Sequence, residues 1–508
     1  MTNNSKIILN TGILYGKMLI TMVFTLLSTR WVLEALGESD FGVYNLVAGI
    51  IAMFSFLNTA MSIATQRNLS YSLGKGDSEE LNSTFVCSVV LHVVLGIIIF
   101  LFMAIGGYIL LMTVLNVPAE RMDVTIIVLI TMSLSTFFTI IGVPYLAAIN
   151  SHENMIVIAI VNIFEAIWKF LLALYLLVYE GDRLLFYSIL IAVLSFVSTF
   201  LMFLYCNLKY DETKKIRGTL FSIDRIKYLL SYTSWNVIGA LGLLTKNMGI
   251  SFLYNSFYGV TINAAYGISN QVNGQLSFFS NSIIRAFNPQ IIKSEGEGNH
   301  VRMIKLSCMS CKFSTLLMVL VIVPIIYNIN YILDIWLKEV PKYADIFTLL
   351  ILINSIMYQM SHGFELSIHA AGKIKWFSII SSLANILVIP VGYICLVVGF
   401  SKESVLIVSI LCTLLITFII AYYSSKYNNF AVRSFTTSVF IPLCFLFLIS
   451  LSVCYCCYLF SMGLHRLISC FIFNSPVVIL AFYYVCLAKD EKQTVVKMIL
   501  PIIKRIWN

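Results

Sequence analysis

Fourteen times along this chain the sequence settles into an apolar run of roughly twenty residues or more, which a water-facing surface cannot absorb. The runs fall at about 11–35, 43–66, 84–112, 124–147, 155–178, 184–207, 229–256, 262–290, 307–333, 345–370, 376–399, 404–424, 436–458 and 466–487. As helices, each is long enough to cross a hydrocarbon layer about 30 Å thick. Soluble domains are about one-quarter charged, whereas this chain is 11% charged and 59% hydrophobic. A transmembrane barrel would alternate in segments of about ten residues. The expected fold is therefore all-α: a polytopic membrane protein of about fourteen transmembrane helices. The opening MTNNSKIILN has no small-residue cleavage site before the first run, so an uncleaved first helix is expected.

Lys and Arg in the loops set the orientation. With the N-terminus inside, the inner loops and tails hold 22 of the 33 cations, grouped chiefly at Lys209 to Lys227, Lys293 to Lys312 and Lys489 to Arg505. The outer loops hold six: Arg121, Arg183, Lys338, Lys342, Lys402 and Arg466. Both termini are thus expected in the cytoplasm. The net charge of +9 is mostly this asymmetry and gives no support to nucleic-acid binding. The tail 488–508 is basic and amphipathic. It reads as a helix lying on anionic inner-leaflet headgroups, or as an ordinary helical tail.

The chain also repeats. SFLNTAMSIATQRNLSYSLGKGD (55–77) lies over SFFSNSIIRAFNPQIIKSEGEGN (277–299) without a gap, 222 residues on, with six identities that include Gly74/Gly296 and Gly76/Gly298. At the same offset Tyr44 falls on Tyr266. Two six-span lobes follow, 1–215 and 222–428. Because six is even, they are parallel repeats about an axis along the membrane normal, a layout common in transporters. Spans 13 and 14 (429–487) belong to neither lobe.

Polar residues interrupt the oil in stripes. On span 8, Asn270, Asn273, Ser277, Asn281, Arg285 and Asn288 recur every three or four residues, which keeps them on one helix face. Span 2 has the shorter series Ser55, Asn58, Ser62 and Gln66, and span 7 puts Gly239, Gly242, Lys246 and Gly249 together. Such stripes face protein or water. Two readings stand: a wet cavity, or interhelical hydrogen-bond seams.

Five cations fall within spans: Lys17, Arg30, Lys169, Lys246 and Arg285. Arg30 has Glu34 and Lys169 has Glu165 four residues away, a spacing at which ion pairs form. Lys17, Lys246 and Arg285 have no acid within four residues. Lys17 and Arg285 lie near the cytoplasmic ends, where snorkelling to headgroups is the plainer account. A cavity with surplus cations implies an anionic cargo, because guanidinium and ammonium groups pair well with phosphates.

Other motifs are weaker. His362, Glu365 and His369 share one face of span 10 as a proton or ion relay, or as a polar rim at the inner end of the helix. Cys308-x-x-Cys311 and Cys454-x-Cys456-Cys457 lack the second pair that a zinc site needs. Neither a metal, a cofactor nor a catalytic constellation is expected.

With fourteen spans in a six-six-two layout, the opening GILYGKMLITMVFTLLSTRWVLEALGESDFGVYNLV resembles the multidrug/oligosaccharidyl-lipid/polysaccharide exporter superfamily. Within it, the chain is most similar to bacterial polysaccharide flippases that turn over undecaprenyl-pyrophosphate-linked O-antigen or capsule units, and the likeness covers nearly the whole chain. The resemblance implies a V-shaped, two-lobed fold with a central cavity lined by spans 1, 2, 7 and 8. It points to Lys17, Lys246, Arg285 and Arg30 as cationic cavity residues, with spans 13 and 14 accommodating the lipid tail. It further implies an inner-membrane location, coupling to a proton or sodium gradient through Glu165 or Glu365, and a polymerase and glycosyltransferases of the same pathway as partners. A peptidoglycan lipid II flippase and a drug/cation antiporter are the neighbouring alternatives; a cation exporter should have an acidic cavity. A membrane-embedded polymerase or glycosyltransferase fits less well. The outer loops are short, and no paired carboxylates of the glycosidase kind stand out.

Overall fold

The computed structural model describes residues 3–52, 55–113, 119–214, 221–337, 340–428 and 430–493. Among them the secondary structure is helical throughout. The principal helices are α1 (Asn3–Ala52), α2 (Ser55–Lys75), α3 (Ser78–Thr113), α4 (Met122–Ser151), α5 (Met155–Val178), α6 (Arg183–Lys209) and α7 (Ile223–Tyr258). They continue with α8 (Val260–Gly296), α9 (His300–Tyr327), α10 (Ala344–Ala371), α11 (Lys375–Val398), α12 (Ser404–Asn428), α13 (Val432–Phe460) and α14 (Gly463–Cys486).

Among the described residues, twelve helical stretches are long and apolar enough to cross a membrane, and the chain is a multi-pass membrane protein. Span 2 and span 8 fall outside that set. Their described residues are helical, but the polar stripes of α2 and α8 lower their hydropathy. Lipid exposure shows in the side chains: α3 turns Ile98, Phe102, Ile105 and Ile109 outward, a surface that water would penalise.

Spans 1 and 2 meet at Gly37, whose backbone leaves the helix at φ 71° and ψ 173°. Gly259, with φ 78° and ψ −172°, divides α7 from α8 in the same way. This region is essentially closed to residues with a Cβ. Gly76 and Gly298, which end α2 and α8, share φ 72°. Each pair is separated by the 222-residue offset of the sequence repeat.

Packing divides the chain into two compact units, Leu9–Val237 and the remainder. In the first, α4 packs against α2, α3 and α6. Close approach rests on glycine: a Cβ on Gly107 would lie 2.7 Å from Leu129 Cδ1. At one end of the unit Arg121 joins two carboxylates, pairing with Asp40 and donating to Asp182 Oδ2 at 2.6 Å. Arg183 Nη1 donates to the Ala35 carbonyl at 2.9 Å. Burial, the largest influence on the Asp182 carboxyl, pushes its pKa up, yet Arg121 and the Leu185 amide outweigh it and hold the group below the ordinary carboxylate range. At the other end His152 meets Glu212 at 2.6 Å and stacks on Tyr210 with centroids 4.0 Å apart.

In the second unit α9 is the most enclosed membrane helix. It is flanked by α8 and α10, and α13 and α14 pack on it as well. Gly363 of α10 sits directly against the Ser307 carbonyl and Cys311 of α9. Lys312, grouped with the inner-loop cations on sequence, lies inside α9 and is buried against Glu491 at 2.7 Å. That pair fixes the start of the C-terminal tail. The remainder of the tail, 494–508, lies outside the described residues, and with it most of the expected amphipathic helix.

Candidate functional site

The glycine face of α7 is a packing face. A Cβ on Gly242 would meet Ser382 Cα of α11 at 2.6 Å, and one on Gly249 would collide with Ile389. Lys246, one turn from each glycine, is carried into the protein and is 7% exposed. It has neither an ion pair nor a hydrogen bond to any other described residue. A buried ammonium in that state costs several kcal/mol unless something compensates it.

On α8 the stripe divides. Its first turns form a seam with α10: Ser355 Oγ donates to Asn273 Oδ1 at 2.6 Å, and Thr348 Oγ1 donates to Ser269 Oγ at 3.0 Å. Ser277 donates to Asn273 at 3.5 Å, and Asn270 donates to the Tyr266 carbonyl of its own helix. Farther along, Asn281 and Arg285 are exposed, and Arg285 forms no ion pair with a described residue. The seam reading thus describes Asn273, while Asn281 and Arg285 are exposed.

The face of α10 read from spacing gathers around Glu365. Glu365 Oε2 accepts from Tyr358 Oη at 2.7 Å, and His369 Nε2 lies 4.0 Å from Glu365 Oε1. The Tyr358 and His362 rings are 4.9 Å apart, and His362 Nδ1 is buried without a hydrogen bond. Sequence reading missed Tyr358, although it stands seven residues before Glu365, two turns away on the same face.

In the other unit Lys17 is half-buried on α1, and Asn58 and Ser62 are half-buried on α2. The Asn58 side-chain oxygen is buried without a donor. The side chain of Ser55 lies outside the described residues. Arg30 and Glu34 are both exposed, and the expected pair between them does not close; nor does that between Lys169 and the half-buried Glu165. Four-residue spacing permits such pairs, but exposed long side chains gain little from holding one geometry.

Comparison with known proteins agrees with this architecture. Residues 14–175 match the MatE family model. A search by sequence among curated proteins returns no match. Among solved structures, a MATE protein in complex with MaD3S superposes with a TM-score of 0.74 at 12% identity, covering 85% of this chain and 97% of the other. An outward-facing multidrug resistance MATE family transporter of the MOP superfamily gives 0.72 at 12% identity, with the same coverage. A MOP superfamily transporter from Pyrococcus furiosus, described as having a binding pocket of reverse polarity that suggests a different function, gives 0.70 at 13% identity, again over 85% and 97%. The chain has an all-helical MATE-like fold, and its first third matches the MatE family model.

Proposed function

We propose that the chain is a transporter of the MATE fold that moves an undecaprenyl-pyrophosphate-linked oligosaccharide across the bacterial inner membrane by alternating access, for polysaccharide biosynthesis. The observation that carries this reading is Lys246, an ammonium buried within a membrane helix and unmatched by any carboxylate among the described residues. A phosphate supplies the missing charge, and charge-assisted contacts to phosphate are among the strongest a side chain makes. Arg285, exposed on α8, adds a second cation of the same unit. For the Pyrococcus furiosus relative, pocket polarity is what its description links to a different function; an excess of cations here favours an anionic cargo by the same reasoning.

A drug/cation antiporter is the second reading, favoured by the fold shared with a multidrug resistance transporter and by the half-buried Glu365. Reconstitution separates the two. Proteoliposomes holding the protein should flip a pyrophosphate-linked oligosaccharide lipid and leave a cationic dye untransported. Gradient-driven dye uptake with no lipid turnover would replace the proposal with the antiporter reading. Running lipid II in parallel resolves which glycan is preferred.

A further inference from the structure

Entirely within the unit Leu9–Val237, where the end of α2 meets the starts of α3 and α7, lies a cavity of about 350 Å³. That is near the lower end of the range for small-ligand sites, about 300–1,000 Å³. Arg67, Tyr71, Glu80, Thr84, Arg225 and Tyr228 are among its lining residues. Arg67 is only 5% exposed, so its guanidinium is held in place. Its Nη1 donates to Tyr228 Oη at 3.0 Å and to Asn68 Oδ1 at 3.1 Å. The group also lies over the rings of Tyr71 and Tyr232, at 4.7 Å and 5.5 Å.

Arg225 enters from α7. Its Nη1 donates to Thr84 Oγ1 at 2.6 Å and to the Glu80 carbonyl at 3.2 Å, with Glu80 Oε1 at 3.4 Å. The Glu80 carboxylate is held more closely by Lys75, at 2.6 Å, so Arg225 has only a share of it. The first turn of α7 completes the wall through Ser222 and Asp224, and the positive end of a helix favours an anion. Two guanidiniums and a phenol around one small cavity make a donor set for a tetrahedral oxyanion, while Thr84, whose hydroxyl donates to the Glu80 carbonyl at 2.7 Å, helps to hold Arg225 in place.

We propose that this cavity binds a phosphate group, carried by an anionic phospholipid head or by a small soluble phosphate. The start of α7 adjoins one of the segments richest in Lys and Arg, 209–227, which the charge bias assigns to the cytoplasm. The inference stands whichever cargo the transporter carries.

The test is ligand-dependent thermal stability of the purified full-length chain. One arm compares nanodiscs of phosphatidylglycerol with nanodiscs of phosphatidylcholine. The other adds inorganic pyrophosphate to the protein in phosphatidylcholine. Stabilisation by phosphatidylglycerol identifies the lipid head as the source; stabilisation by pyrophosphate identifies a soluble phosphate. In the arm that responds, Arg225→Gln should weaken apparent affinity about tenfold, and Arg225→Lys should retain most of it. Should Arg225→Gln fail to fold, Tyr228→Phe carries the same test with a smaller loss. No response in either arm, or a response identical in the wild type and the variants, overturns the proposal.

Discussion

Lys312 and Glu491 stand 179 residues apart in sequence and close a 2.7 Å ion pair in which the two side chains are 3% and 6% exposed. Glu491 also accepts from the Ala488 amide at 2.8 Å, so the carboxylate both anchors and caps the start of the tail on α9. Breaking a buried pair strands the remaining charge. Lys312→Met should therefore cost about 3–5 kcal/mol, read as a lowered thermal midpoint in detergent. The double variant Lys312→Met/Glu491→Leu should recover most of that loss. Equal losses in the single and double variants would mean that the pair is not what holds this contact.

The Arg121 staple has a pH signature. Asp182 is held below its ordinary range by Arg121 and the Leu185 amide, so its stabilisation is present above the unfolded-state pKa. It is lost as pH falls through the lower folded value. Unfolding followed from neutral pH down through the carboxylate range should show wild-type stability falling, with a shallower fall in Arg121→Gln. At neutral pH that variant should be about 1–2 kcal/mol less stable, a modest figure because all three side chains are partly exposed. Parallel acid profiles would contradict the assignment.

Gly37→Ala and Gly259→Ala should each cost about 1–3 kcal/mol, because both backbones occupy a region that only glycine enters at low cost. A Cβ has open space at either site, so any loss comes from the backbone and not from a clash. Urea or thermal melts of both variants check this. Unaltered stability in one of them would show that the repeat-related breaks are not equivalent.

Gly242→Ala tests the α7–α11 contact by the opposite mechanism. Its Cβ would meet the Ser382 backbone at 2.6 Å, and overpacking of this kind costs about 1–3 kcal/mol. Because Lys246 lies one turn away, transport should fall along with stability. Gly239→Ala, with its nearest neighbour at 3.9 Å, should be close to neutral in both measurements.

Much of the fold was legible because the membrane imposes length and hydropathy on every span. Even α2 and α8, too polar for a simple hydropathy criterion, were marked by apolar residues around their polar stripes. The paired breaks at Gly37 and Gly259 also obey the 222-residue offset and could have been found from it. Through-space relationships were not legible. Nothing near Lys312 announces Glu491, nothing in α2 announces that Arg67 meets Tyr228 of α7, and four-residue spacing suggested an Arg30–Glu34 pair that two exposed side chains do not form. The stripe on α8 was visible, but its division into a seam at Asn273 and an exposed stretch at Arg285 depends on where α10 packs.

The most direct measurement compares the flipping rate of a pyrophosphate-linked oligosaccharide lipid in proteoliposomes holding wild type, Lys246→Ala or Arg285→Ala, at matched protein incorporation. Removing a charge-assisted phosphate contact should cost about 1.5–3 kcal/mol, or roughly ten- to a hundredfold in rate, with Lys246→Arg partly active. Wild-type rates in both alanine variants would contradict the account and remove the cations from cargo recognition.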